Sequence, residues 1–177
     1  DMSTVFQGYY KTMRREAALK KQEEIYQERA DELKEDLKTL KEEQDELEEQ
    51  SLNVALSDQA RAEKRQSARR LEEEFRSKKE ELRQFYGAKK QELQKEYLKV
   101  REELIAEILE FLDGYAEQNG LDLILDVSGL TNNFLPVVVH YSEDKEITAA
   151  VLNALNKGHE DEVAEAKRKA EQETPGD

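Results

Sequence analysis

Two apolar beats constrain this chain more than any other feature. Leu19, Tyr26, Leu33, Leu40, Leu47 and Val54 fall seven residues apart, and Ala30 and Leu37 supply part of the second seam position. Beyond the mid-fifties Leu71, Leu82, Leu93, Leu104 and Tyr115 fall eleven apart, shadowed by Phe75, Tyr86, Tyr97 and Ile108. A narrow seam sustained over so many turns belongs to long helices that pack on another helix. A polar interruption and no flexible linker separates the two beats. The simplest reading is one chain folding back as an antiparallel helical hairpin, with arms of ~50–60 residues or about 75–90 Å.

Local signals place the ends of these arms. The ascending arm runs from Val5 to about Leu56, with Val5, Phe6, Tyr9, Tyr10 and Met13 as an apolar base and Gln44 and Ser51 at seam positions. Ser57 can accept from the free N–H groups of a new helix, and Asp58 suits its positive end. The tip is therefore expected near residues 53–60, although neither glycine nor proline marks it. The descending arm runs from Asp58 to about Gln118 and stops at Asn119-Gly120. Gly87 and Gly114 lie inside it, each costing about 1 kcal/mol relative to Ala. An acidic run (Glu42, Glu43, Asp45, Glu46, Glu48, Glu49) and a basic run (Arg61, Lys64, Arg65, Arg69, Arg70) are expected to face each other across the fold-back and help set its register.

Composition agrees with long solvated helices. Charged residues make up 40% and apolar residues 37%, with only two prolines and seven glycines. The net charge of −14 argues against broad nucleic-acid binding, which needs a surplus of Lys and Arg. Without cysteine the chain has no disulfide framework, thiolate metal site or thiol chemistry. No apolar run is long enough to cross a bilayer as a helix. Asp1 is not an initiator Met, so an export signal is expected to have been removed already.

After Gly120 the period changes to two. Leu121, Leu123, Leu125 and Val127 share one face of an expected strand, and Val137 to Tyr141, including Val139, form a second beyond a loop at 128–136. Ser142 or Asp144 then caps a short helix with the stripe Ile147, Val151, Leu152 and Leu155, ended by Gly158. The expected fold class is α+β: a long coiled-coil hairpin projecting from a small β-containing body. Residues 1–18 form the arm's base and the end of an N-terminal body segment, and 19–118 the hairpin. Residues 119–158 hold the strands and closing helix of an oligomerisation body, and 159–177 a charged tail, disordered or loosely helical. Two strands alone are marginal, a body this small buries little, and open edges need partners. Several copies are therefore expected to share one sheet or barrel through Leu121, Leu123, Leu125, Val127, Val137, Val139 and Tyr141.

Nothing in the sequence points to catalysis. His140 sits in a strand and His159 in the tail, neither beside an acidic cluster at ligand spacing. A general acid needs a desolvating pocket that bare helical arms do not offer. No Gly-rich phosphate loop is present. The reading is a non-enzyme with no cofactor and no metal.

Three segments carry a family resemblance. They are Asp1-Met2-Ser3-Thr4-Val5-Phe6-Gln7-Gly8-Tyr9-Tyr10-Lys11-Thr12, Leu121-Asp122-Leu123-Ile124-Leu125-Asp126, and Lys145-Glu146-Ile147-Thr148-Ala149-Ala150-Val151-Leu152. In this order around a long helical hairpin, over residues 1 to 157, the chain resembles the Skp/OmpH family of periplasmic chaperones for outer-membrane proteins. The resemblance implies a periplasmic homotrimer with a β-barrel-like body and three helical tentacles. It implies an ATP-independent holdase for unfolded outer-membrane or envelope proteins, with no membrane insertion and no nucleic-acid partner. On that reading Tyr26, Phe75, Phe85, Tyr86 and Tyr97 offer ring surface to clients, while the plainer reading has the seam aromatics packing the hairpin. Well-known members are basic, whereas this chain is acidic, and a lipopolysaccharide role is not carried over. The chain also begins where the family's first strand ends. The rival from another class is a structural coiled-coil spacer or scaffold that binds folded partners at its arm tips.

Overall fold

The structure is a computed structural model that describes residues 1–173. Its elements are α1 (Met2–Gly8), α2 (Tyr10–Ser51), α3 (Asp58–Asn119), a single 3-10 turn at Glu143–Lys145, α4 (Thr148–Leu155) and α5 (Glu160–Glu173). They fall into two compact units: Lys21–Lys95, and Asp1–Lys20 together with the chain from Glu96 onward.

The unit Lys21–Lys95 is an antiparallel helix pair. Its register is fixed by contacts that descend on α3 as they ascend α2. Tyr26 meets Phe85 edge-on and its hydroxyl donates to Glu92. The Lys34 ammonium lies over the Tyr86 ring, and Lys78 pairs with Asp36. Ala30, Leu33 and Ala68 are buried, and Leu40, Leu47, Leu71, Phe75 and Leu82 are half-buried. The seam is as narrow as its period implies.

The turn is built without glycine or proline. Asn53 replaces them: its Oδ1 accepts from the Ala55 N–H at 2.9 Å and its carbonyl from the Leu56 N–H at 3.2 Å, an Asx-type turn. Ser57 Oγ accepts from the Ala60 N–H at 3.2 Å and caps α3, as the residue type favours. The charge reading fares differently. Among the described residues no salt bridge joins the acidic run 42–49 to the basic run 61–70; Lys41 pairs with Asp45 and Arg61 with Asp58, each on its own helix. Asp45 and Arg61 are satisfied one turn away, and exposed pairs across the arms would add little for the side-chain order they cost.

The other unit is held by a helical core of Val5, Tyr9, Val100, Leu104, Ile108 and Val151. The expected unbroken ascending arm is interrupted here: Tyr9 is extended (φ −73°, ψ 128°), separating α1 from α2. Asp1 Oδ1 caps α1 at the Thr4 N–H, 2.7 Å away, and Asp126 Oδ1 accepts from the Met2 N–H at 2.9 Å. A Cβ on Gly8 would lie 2.6 Å from Leu152 Cδ2, so glycine permits α1 to approach α4 this closely. The stop of α3 is as expected. Gly120 has φ +64°, and the Leu121 N–H reaches the Ala116 carbonyl at 2.9 Å, the six-to-one bond of a Schellman end.

The α+β expectation is overturned. The fold is predominantly helical, with no strand among the described residues. Leu121–Val127 and Val137–Tyr141 are neither strands nor paired with each other; the only bridge among the described residues joins Leu130 and Pro136. The physical reason lies in the edges. A ladder in this body needs neighbours on both sides, and one copy supplies two short segments and no third. The short helix after them is α4, with Val151 buried and Ile147, Leu152 and Leu155 half-buried, but its N-cap is Ile147 rather than Ser142 or Asp144. Within the charged tail, Glu160–Glu173 is helical; Thr174-Pro175-Gly176-Asp177 lies outside the described residues.

Candidate functional site

Two surfaces carry the residues singled out in the sequence, one in each unit. In the helix pair, Tyr26 is half-buried. Its ring stands 6.2 Å from Phe85 at 85°, Lys89 lies 4.6 Å above it, and its hydroxyl is 2.8 Å from Glu92. Phe75 and Phe85 are half-buried in the seam, while Tyr86 is 40% exposed. The plainer reading, packing, thus accounts for one side of each ring. The other side stays open, and the rings are anchored by neighbours instead of swinging freely.

Electrostatics on this pair is locally balanced. Arg83 and then Gln84 bind the Glu80 carboxyl and hold it down to about 2. Lys89 and Tyr26 lower Glu92. These groups are open to solvent, so each pair contributes little stability. What they do is keep the acid-rich surface charged and soluble.

In the other unit, the chain from Leu121 to Tyr141 is irregular, with a turn at 131–134, and largely bare. Leu123 is 71% exposed, Val139 is 89% exposed, and Leu125, Val137 and Tyr141 are also exposed. Leu121 and Val127 are half-buried. Among the described residues 121–127 and 137–141 share no backbone hydrogen bond, but Val138 and Tyr141 line the same groove as Leu121–Val127. Between them Phe134 sits at φ +60°, 83% exposed, at the end of a turn closed by its N–H to the Thr131 carbonyl. A bulky side chain in that region is strained. Behind Leu121–Val127 runs a groove of about 550 Å³ walled by Val5, Leu109, Leu112, Leu121, Leu123 and Val151.

Tyr97, the last aromatic singled out, is 47% exposed and borders a separate cavity in this same unit. Sequence reading missed two polar devices here. Asn156, only 7% exposed, bonds both sides of the α1–α2 break. Glu107 takes the Tyr9 hydroxyl at 2.9 Å and pairs with Lys11. No periodicity signals a polar residue that serves a backbone break; only the break reveals it. Neither histidine sits in a ligand cluster: His140 is exposed, and His159 stacks on Tyr10 at 3.7 Å with Nδ1 2.9 Å from Glu162. Among the described residues no group of His, Cys, Asp and Glu is arranged to hold a metal, and no helix is long and apolar enough to cross a membrane.

Comparison with known proteins adds one finding to this geometry. No curated protein and no solved structure matches the chain. A family model described as Outer membrane protein (OmpH-like) matches residues 1–155, from α1 through α4. The chain belongs to the OmpH-like family.

Proposed function

We propose that this protein is an ATP-independent holdase of the periplasm that binds unfolded outer-membrane or envelope proteins and prevents their aggregation. The observation that carries this reading is the apolar surface the chain leaves open. Leu123, Leu125, Val137, Val139 and Tyr141 are exposed along a stretch that forms no strand, and the rings of Tyr26 and Tyr86 are only partly covered. Family membership supports it. The exposed stretch serves assembly: three copies meet through the apolar residues of 121–127 and 137–141, and clients are held in the space between their helical arms. The half-covered aromatics, Tyr97 included, supply weak, interchangeable contacts, so a client can leave without an energy source.

The test is light scattering from a urea-denatured β-barrel membrane protein diluted into buffer without nucleotide. Stoichiometric protein is expected to suppress scattering, and no suppression at severalfold excess defeats the reading. One observation favours the rival, a spacer that docks folded partners at its tips: Leu52 is 75% and Val54 88% exposed in the turn. Leu52→Ser with Val54→Ser separates the two, because a holdase of the arms keeps its activity and a tip-docking spacer loses its partner.

A further inference from the structure

A cavity of about 440 Å³ opens between α1, the start of α2, the 97–105 stretch of α3 and the chain at Asp126–Ser128. Its apolar wall is Met2, Phe6 and Ile105, and its polar groups include Glu16, Tyr97, Arg101 and Asp126. Asp126 is engaged through Oδ1, which accepts from the Met2 N–H, the Ser128 N–H and the Ser128 hydroxyl. Arg101 lies flat against the wall, its guanidinium 5.7 Å from the Phe6 ring centre. Glu16 differs from both. Among the described residues it has no hydrogen bond or salt bridge, and it is the one carboxyl among those shifted that is pushed up rather than down, by desolvation alone. It remains open to solvent on one side, so the desolvation is partial and the cavity mouth leaves room for a ligand.

We propose that this cavity is a subsite for a single basic side chain, lysine or arginine, of an unfolded polypeptide. The N-terminal ammonium already acts on Asp126, whereas among the described residues no cation acts on Glu16, so the cavity retains one carboxylate without a counter-charge and favours a cation. Phe6 and Ile105 line a path for the aliphatic stem, Glu16 takes the charged head, and the exposed ring of Tyr97 offers its face to it. The proposal rests on the holdase reading and gives it a chemical preference: apolar client segments punctuated by a basic residue. It also assigns the acidic character of this chain a local use that net charge alone does not supply.

The experiment is an NMR titration of the full chain with end-blocked Gly/Ser peptides carrying one Lys, one Arg, one Gln or one Glu, following the amides of residues 97–105. Lys and Arg peptides are expected to shift these resonances and the Gln and Glu peptides to leave them unmoved. Glu16→Gln is expected to weaken the Lys peptide about tenfold, the scale of a charged hydrogen bond. Arg101→Gln is expected to strengthen it by removing the competing cation, an effect that a merely structural Glu16 does not produce. Equal shifts with Lys and Glu peptides, or an unchanged affinity in Glu16→Gln, overturn the proposal. The same preparations are assayed for suppression of client aggregation. Suppression without peptide selectivity removes the subsite and leaves the holdase standing, whereas selectivity without suppression does the reverse.

Discussion

Asn156 closes the break after Gly8: its Nδ2 donates to the Gly8 carbonyl at 2.8 Å while its Oδ1 accepts from the Tyr10 N–H at 2.9 Å. One buried amide thus replaces the hydrogen bonds that a continuous helix would have made across Tyr9. Asn156→Leu removes both bonds and leaves a carbonyl and an N–H beside an apolar side chain. The expected loss is about 2–4 kcal/mol, read as a lower midpoint in urea with an unchanged slope. A loss below about 0.5 kcal/mol means that the amide is not what holds the break.

The Tyr9–Lys11–Glu107 cluster gives stability a defined pH dependence. Burial pushes Glu107 up, but Lys11 and the Tyr9 hydroxyl outweigh it and hold the carboxyl below its ordinary range. A depressed carboxyl contributes stability above its unfolded value that is lost as pH falls through the folded one. Burial and then the Glu107 bond push Tyr9 up to about 12. Its contribution is complete below pH ~10 and is lost between about 10 and 12. Thermal melts of Glu107→Gln and Tyr9→Phe are the check. The first is expected to flatten the acid limb and the second the alkaline limb, and limbs identical to wild type contradict the assignment.

The register of the helix pair is the next expectation. Lys78 pairs with Asp36, and Tyr26 meets Phe85 and Glu92. Carried toward the Asn53 turn, this spacing sets the chain near Leu47 beside the chain near Ala68. Spin labels at Glu48 and Lys64 are expected to lie within reach of each other in one chain. A separation of several tens of ångströms means that the chain does not fold back at residues 52–57.

These elements were legible in the sequence to different degrees, for physical reasons. The hairpin was readable because its seam, the Ser57 cap and the Gly120 stop are local signals, each written in a few neighbouring residues. The turn itself was placed closely, though the agent is Asn53, a side chain making the bond that glycine or proline usually prepares. The strands misled because alternation at Leu121, Leu123, Leu125 and Val127 reports a capacity for pairing and not the presence of a partner. The facing charge runs form no salt bridge across the arms because exposed pairs gain too little to order two long side chains. Asn156, Glu107 and the Glu16 cavity were invisible, since each joins residues roughly a hundred positions apart or more. The arm aromatics were legible as seam positions, but how far each ring stays open depended on neighbours such as Lys34 and Lys89.

Leu123 tests whether the bare segment is an assembly surface. In a single chain it is 71% exposed, so Leu123→Asp is expected to change the isolated chain's unfolding midpoint by no more than about 0.5 kcal/mol. In an interface between copies the same change buries an unpaired charge and is expected to dissociate them. Light scattering of molar mass beside a urea melt reads both. An unchanged mass removes 121–127 from the interface.

Native mass spectrometry of the protein mixed with a denatured β-barrel membrane protein reads whether several copies together hold one unfolded client. The predicted species contains three copies of this chain and one client, formed without nucleotide. A single copy bound to client, or a trimer that binds none, contradicts it.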